Sequence, residues 1–472
     1  MVGPISSPGL GSGLDVQGIV TQLVAIEKAP ISTLQKQATT FQTKLSVYGT
    51  IKSQVAALGD AANKLATSGG WNAVTASSSN PSAIGMTATA GAPATSVTME
   101  VQQLAKAQST ASASVASGTA MGSGTMTIEL GSWSGSSFTA GANTPVSVTI
   151  DAGSDSLAEI AAKINDADGG VTATVLKDAS GERLLLRSKD TGEANGFRIS
   201  VADDDGNDTD ASGLSSLAFD AGNANGMSQT QAGQNALATV NGLAINTASN
   251  KLTNTLPGMT IQLSQVTTNP VELVVQPDTD AVQANVKSFV DAYNTLVSNL
   301  ASATRYDAGT KKAGVLQGDS TAVGLQGALR SMMRSTTASS PFTRLSDVGV
   351  EMQTGGTLKL NTTKFGEALG DLSGLRALFG ESTGNDATEG FGLKVKKFTD
   401  GLNAAEGLMS NKSAGIQRQI DRNSDEQERI TDRAARVETR LLAQYNAMDA
   451  TVSKLNSLNT FISQQITLWN KS

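Results

Sequence analysis

The 472-residue chain has no cysteine and no histidine, and aromatic residues make up only 4% of it. Without cysteine there is no disulfide, no thiolate nucleophile and no thiolate zinc site; without histidine the usual imidazole base and commonest transition-metal ligand are gone as well. Charged residues are scarce at 16%, and a net charge of −7 is mild for this length. Disorder driven by charge is therefore excluded, and so is the basic surface that nucleic acid or an anionic membrane would require. No run approaches the roughly eighteen consecutive apolar residues of a membrane helix. The opening Met1–Gly13 is rich in Gly, Ser and Pro, and the first lysine is Lys28. No cleavable secretory signal is read there, which taken alone favours a cytoplasmic protein. Ala, Gly, Ser, Thr, Asn and Gln fill the space left, over a length that predicts about three domains.

What is present is clearest at the two ends. Asp15 fits as the N-cap of a helix carrying Val16, Ile19, Val20, Leu23 and Ile26. Ala29-Pro30 should end it, with Pro30 opening a second helix whose stripe runs through Ile31, Leu34, Ala38, Phe41, Leu45, Tyr48, Ile51, Val55, Leu58 and Leu65. Near the C-terminus Ala434, Leu441, Met448, Leu455, Ile462 and Trp469 fall on a seven-residue repeat. Val437, Tyr445, Val452, Leu458 and Ile466 are its companions, and together they spell a coiled coil. Upstream, Asp425–Arg429 and Asp432–Arg436 have the favourable acid-before-base order. Beyond Arg440 charge nearly vanishes, and the face away from the stripe is Gln444, Asn446, Ser453, Asn456, Ser457, Thr460, Ser463 and Gln464. Two readings remain: a helical hairpin within one monomer, or termini that pair and then pack into a polymer. On the second, the stripes cannot be buried by an isolated chain and should be mobile there. The residues expected to carry assembly are Leu34, Phe41, Leu45, Tyr48, Val55, Leu441, Met448, Val452, Leu455, Ile462, Ile466 and Trp469.

Between about Gly69 and Gln276 the period changes to two. Val97–Val101, Met126–Leu130, Val146–Ile150, Val171–Val175, Leu184–Leu186, Phe197–Val201, Met259–Leu263 and Val271–Val275 alternate between turn residues and read as strands. Ser156–Asn165 reads as one helix, and helices return from Asp278. The fold class is α+β multidomain: a helical coiled-coil stalk formed by both termini, with β-rich head domains inserted between them. The boundaries expected are 1–40 pairing with 430–472, a helical leg of 41–75 with 276–430, an inner head of 76–130 with 236–275, and an outer head of 131–235.

No catalytic constellation is visible. The run Asp203-Asp-Asp-Gly-Asn-Asp-Thr-Asp210 places glycine fourth rather than sixth, so it fails the EF-hand spacing and reads as a solvated loop tip. Gly9-Leu-Gly-Ser-Gly13 lacks the Gly-Lys-Ser/Thr of a phosphate loop. Trp71 and Trp133 could either grip a sugar or partner or simply pack. No metal and no cofactor are expected.

Several stretches resemble one family. Gly11-Ser-Gly-Leu-Asp-Val16 through Pro30-Ile31, Val101-Gln-Gln-Leu-Ala105 with Lys106–Ser109, Val240-Asn-Gly242, Leu256-Pro-Gly258, Phe289–Asn294, Leu316–Ser320 and Asp347–Val350 are similar in order to the flagellar filament cap family, flagellar hook-associated protein 2. Leu157–Asn165, Gly170–Val175 and Arg183–Gly192 resemble the repeat of flagellin-related heads, whereas Gly206–Gln234 matches nothing. The resemblance implies a non-enzymatic structural protein at the distal, extracellular tip of a flagellum. It implies a homo-oligomeric ring, usually of five subunits, that retains exported flagellin and promotes its folding and insertion. It further implies hook-filament junction proteins and an export chaperone as partners, with no nucleic acid and no membrane insertion. Export would proceed unfolded through the flagellar type III channel, which reverses the cytoplasmic default. The alternatives are another axial protein, flagellin or junction-type, or a surface adhesin acting through its head.

Overall fold

A computed structural model of the chain describes Gly13 and Asp15–Asn470 except Ser339 and Ala387. Its helices are α1 (Val16–Ala66), α2 (Leu157–Asp166), α3 (Thr279–Thr304), α4 (Ser320–Met333), α5 (Thr362–Ala368), α6 (Leu372–Gly380), α7 (Phe391–Asn403) and α8 (Leu408–Trp469). The chain divides into two compact units: one formed by the residues up to Trp71 with those from Asp280 on, the other by Asn72–Thr279.

The first unit is helical. The 51-residue α1 lies along α7 and α8, and its stripe Tyr48, Ile51, Val55, Leu58, Ala62 and Leu65 enters one core with Phe289, Tyr293, Phe365, Phe379 and Phe391. Gly392 at the start of α7 permits this contact: a Cβ there would sit 2.8 Å from the Phe379 carbonyl oxygen and 2.9 Å from that of Ala62. The break expected at Pro30 is absent, and α1 runs through it. The proline ring removes one amide donor, at a cost of about 3 kcal/mol. Pro30 and Ile26 face solvent, where water can reach the freed carbonyl, while packing of the opposite face against α8 keeps the helix going.

The second unit holds two β layers with separate cores. A five-stranded antiparallel sheet runs Val74–Ser78, Val271–Pro277, Thr95–Gln103, Ala236–Val240, Leu243–Thr247, and a three-stranded sheet runs Lys251–Thr253, Met259–Leu263, Ile84–Ala88. Met99, Val101, Ile261 and Leu273 lie in the core they share. Asn241 and Gly242 both take positive φ, as a two-residue hairpin turn requires, and fix the register of the last two strands of the larger sheet. The other layer has a sheet in which Gly196–Asp203 and Val146–Ile150 both pair with Gly124–Ser134, and a second sheet ordered Ser228–Gln231, Ser109–Ala111, Gly181–Ser188, Val171–Asp178. Together with α2, which Ser156 and Glu159 open with a reciprocal capping box, they enclose Met126, Ile128, Leu184, Leu186, Phe197 and Ile199. The strand Gly124–Ser134 spans residues 130/131, the expected boundary between inner and outer head, and places Met126 and Ile128 in this second core with Leu130 packed against it.

Candidate functional site

The feature that separates this molecule from an ordinary helical domain is the pair α1 and α8. They run antiparallel: Arg433 reaches Glu27 at 2.9 Å, and Lys412 lies over the Tyr48 ring at 5.5 Å. Neither Asp425–Arg429 nor Asp432–Arg436 forms an ion pair among the described residues: Arg429 pairs with Glu426 instead, and Arg433 reaches across to Glu27 of α1. Asp15 caps α1, its carboxylate accepting from the Gly18 amide at 2.8 Å.

Their contact has three zones. Nearest the core, Asp319 ties α1, α4 and α8 together. Its Oδ1 accepts from the Tyr48 hydroxyl at 2.7 Å and from the Thr321 and Ala322 amides at 3.0 and 3.3 Å, while Lys412 Nζ lies 2.9 Å from Oδ2. Burial alone would raise the Asp319 pKa, but hydrogen bonds from Lys412, Tyr48 and the Ala322 amide, with the lysine's charge, hold it below the usual carboxylate value. Burial and the adjoining carboxylate push the Tyr48 hydroxyl well above the ordinary phenol range. Halfway along, Asn423 is buried and accepts from Gln427 Nε2 at 2.7 Å. Met409, Ile416, Asn423 and Ile430 are all buried seven residues apart, so the heptad continues upstream of the stretch legible from the C-terminus and carries one polar layer. In the third zone Val16, Val20 and Val24 are buried against Ala434, with Leu441, Leu442 and Tyr445 half-buried beside them. Val16 and Val20 of the N-terminal stripe, with Val24, are thus covered by the chain's own α8, contrary to the expectation that a single chain leaves them bare, while Leu23 and Ile26 stay exposed. The 62-residue α8 is long enough to reach back along the whole of α1.

The residues expected to carry assembly divide accordingly. Tyr48 and Val55 sit inside the first unit's core and Phe41 and Leu45 pack against it, so they hold α1 to its own neighbours. Leu34 and Val452 are half-buried, and Leu441 belongs to the Val16 cluster. Met448, Leu455, Ile462 and Ile466 are exposed, Leu455 by 59% and Ile466 by 52%. Leu458, Phe461 and Leu468 join them, giving α8 a bare apolar stripe. The Trp469 side chain lies outside the described residues. Sequence reading missed Asp319, although a Gly318-Asp-Ser320 step before an apolar-periodic segment is an N-cap signal.

The other candidates are structural. Trp71 is buried against Phe379 and donates from Nε1 to the Leu65 carbonyl at 2.7 Å. Trp133 lies between Phe138 and Phe219 and donates to the Phe197 carbonyl at 2.9 Å. Lys397 bridges the buried Glu389 at 2.7 Å and Asp386 at 2.9 Å, an internally ion-paired cluster. Among the described residues no helix is long and apolar enough to cross a membrane.

Family profiles for "Flagellar hook-associated protein 2 N-terminus" and "C-terminus" match residues 12–108 and 233–457, and one for "Flagellin hook IN motif" matches 135–190. Flagellar hook-associated protein 2 of Escherichia coli K12 is 32% identical over 475 residues, covering 98% of both chains. The chain belongs to the flagellar hook-associated protein 2 family. The protein of that name from Salmonella typhimurium is 30% identical over 99% of both chains. The crystal structure of the flagellar cap protein FliD D1-D2-D3 domains from Escherichia coli superposes with a TM-score of 0.61 at 30% identity, covering 79% of this chain and 99% of that one. The hook-associated protein described here is therefore a structural filament-capping protein of the flagellar tip, α+β and multidomain, and not an enzyme.

Proposed function

We propose that copies of this chain join through the bare stripe of α8 into a closed ring of five subunits, the number the family resemblance implies. The ring retains exported flagellin at the filament tip and promotes its folding and insertion. The observation that carries this reading is the uncovered run Leu455, Leu458, Phe461, Ile462, Ile466 and Leu468 on one helix. Burying such side chains is worth about 1.5–3 kcal/mol each when complete, so roughly 10 kcal/mol for the partial burial available here. Association costs about 4–15 kcal/mol in lost freedom, so a single contact is marginal. Closing a ring adds a contact without a further association cost, which favours the closed form.

The polar side of the same helix supports burial among other chains. Thr460, Ser457 and Thr467 donate their hydroxyls back to the carbonyls of Asn456, Ser453 and Ser463 at 2.7–2.9 Å. These groups are satisfied within the helix and lose little when water is removed, whereas buried unpaired charges would be costly. In this reading residues 1–40 with 430–472 are the stalk, 41–75 with 276–430 the leg, and the β-rich middle the head. Hook-filament junction proteins and an export chaperone are the further partners, and the chain travels unfolded through the flagellar type III channel, where the lack of cysteine spares it from cross-linking. Sedimentation and electron microscopy of the purified chain test the ring. Pentameric rings are expected; a monomer at every concentration would refute it.

A further inference from the structure

The second unit carries two charged surfaces whose groups find no ion-pair partner among the described residues. The first is the outward face of the sheet Ser228–Gln231, Ser109–Ala111, Gly181–Ser188, Val171–Asp178. Cross-strand register sets Thr172, Arg187 and Ser109 in one row, Thr174, Leu185 and Ala111 in the next, and Leu176 beside Arg183 in the third. The alternate residues Ala173, Leu184 and Leu186 fill the core, so these rows lie on the opposite face. The lysines on the same sheet are paired, Lys177 with Glu182 at 2.7 Å and Lys189 with Asp168. Among the described residues Arg183 and Arg187 make no ion pair. On a chain of net charge −7, two arginines without an ion pair, Arg187 exposed and Arg183 half-buried, stand out on a sheet face lined by the exposed Thr172 and Thr174.

The second surface is the loop after Gly196–Asp203, on the other sheet. Asp204, Asp205 and Asp208 are exposed and form no ion pair among the described residues. The loop is nevertheless held in one shape. Asp203 Oδ2 accepts from the Ser215 amide at 2.9 Å, Asp208 Oδ1 from the Asp203 amide at 2.8 Å, and Asp210 Oδ1 from the Ser215 hydroxyl at 2.8 Å. Its acids are presented without further ordering, which lowers the cost of a contact.

We propose that the acidic loop 203–210 of one copy docks on the Arg183/Arg187 sheet face of the next. Charge complementarity selects this occupant. A guanidinium pairs with a carboxylate through two parallel hydrogen bonds, and the two surfaces are on different sheets of one chain. Two complementary, non-identical patches make a head-to-tail contact, and such contacts close into rings when the rotation permits. The inference rests on the self-assembly reading above, and the loop supplies register and specificity to a ring whose affinity comes chiefly from α8.

The test exploits the absence of native cysteine. Thr174→Cys on the sheet face and Thr209→Cys in the loop are made singly, mixed and oxidised. Disulfide-linked dimers between the two variants are expected, with none from either alone, and the double variant should give a ladder ending at the ring size. Arg183→Glu with Arg187→Glu should weaken self-association about tenfold at ~50 mM salt, with the loss shrinking at ~500 mM and reversed by Asp204→Arg with Asp205→Arg. No cross-link while the chain still sediments as an oligomer overturns the docking contact and leaves the ring standing. Sedimentation as a monomer throughout overturns both. Lost filament growth with unchanged self-association assigns the arginine face to a different partner and also overturns the contact.

Discussion

Asp319 is the residue whose removal tests the pairing of α1 with α8 most directly. Replacing it with alanine takes away the cap of α4, worth about 1 kcal/mol. It also strips the Tyr48 hydroxyl, in a fully buried side chain, of its acceptor, worth about 1–3 kcal/mol. Lys412 keeps access to solvent and adds little. The expected loss is about 2–4 kcal/mol, concentrated where α1, α4 and α8 meet. Asp319→Asn preserves the shape and one acceptor and should cost about 1 kcal/mol. Because the folded pKa of Asp319 lies below the unfolded value near 4, the unfolded chain binds more protons in that window. The carboxylate's contribution is therefore complete at neutral pH and is lost as pH falls through the folded value. Hydrogen exchange of peptides within Ser320–Met333, corrected for intrinsic rates, reads the local opening free energy apart from the second unit. A difference below about 1 kcal/mol between wild type and alanine variant, or a gap at pH 3 equal to that at pH 7, would refute the reasoning.

Three further outcomes are expected. Gly392→Ala pushes a methyl group into the Phe379 and Ala62 carbonyls and should cost about 1–3 kcal/mol in thermal unfolding of the helical unit; an unchanged melting temperature would contradict the close packing of α1 on α7. Truncation after Arg440 removes Leu441, Leu442 and Tyr445 from the Val16 cluster together with the bare stripe. Circular dichroism should report both units folded while filament growth stops, and motile cells would count against it. In dilute solution, peptides beyond Leu455 should exchange within seconds and those spanning Met409–Ile430 far more slowly, with Val16–Val24 between; uniform protection along α8 would show that a single chain covers its own stripe.

Much of this was readable from periodicity. The alternation of Val146–Ile150, Phe197–Val201 and Met259–Leu263 marks strands because one side of each is buried. The short strands Ser228–Gln231 and Leu243–Thr247 carry no such signal: they are sheet edges, largely solvent-facing, and edge residues need not alternate. Pro30 misled because local backbone preference argues for a break, while the packing of α1 on α8 outweighs it. At the site, the heptad located the bare stripe of α8. It could not separate Tyr48 and Val55, which share the same period, because burial by distant helices leaves no local mark. Asn423 was hidden for the opposite reason: a polar residue at a heptad position looks like an interruption until its neighbours are seen to be buried.

The Lys52–Ser410 contact joins residues 358 positions apart, at 3.2 Å. Nearly the entire chain must therefore have arrived before α1 and α8 can zip, whichever end leads. The β-rich unit, continuous in sequence from Asn72 to Thr279, needs no such wait. A molecule delivered as a thread would finish its head first and clasp its two tails last, so the grip on its neighbours is the final thing to form.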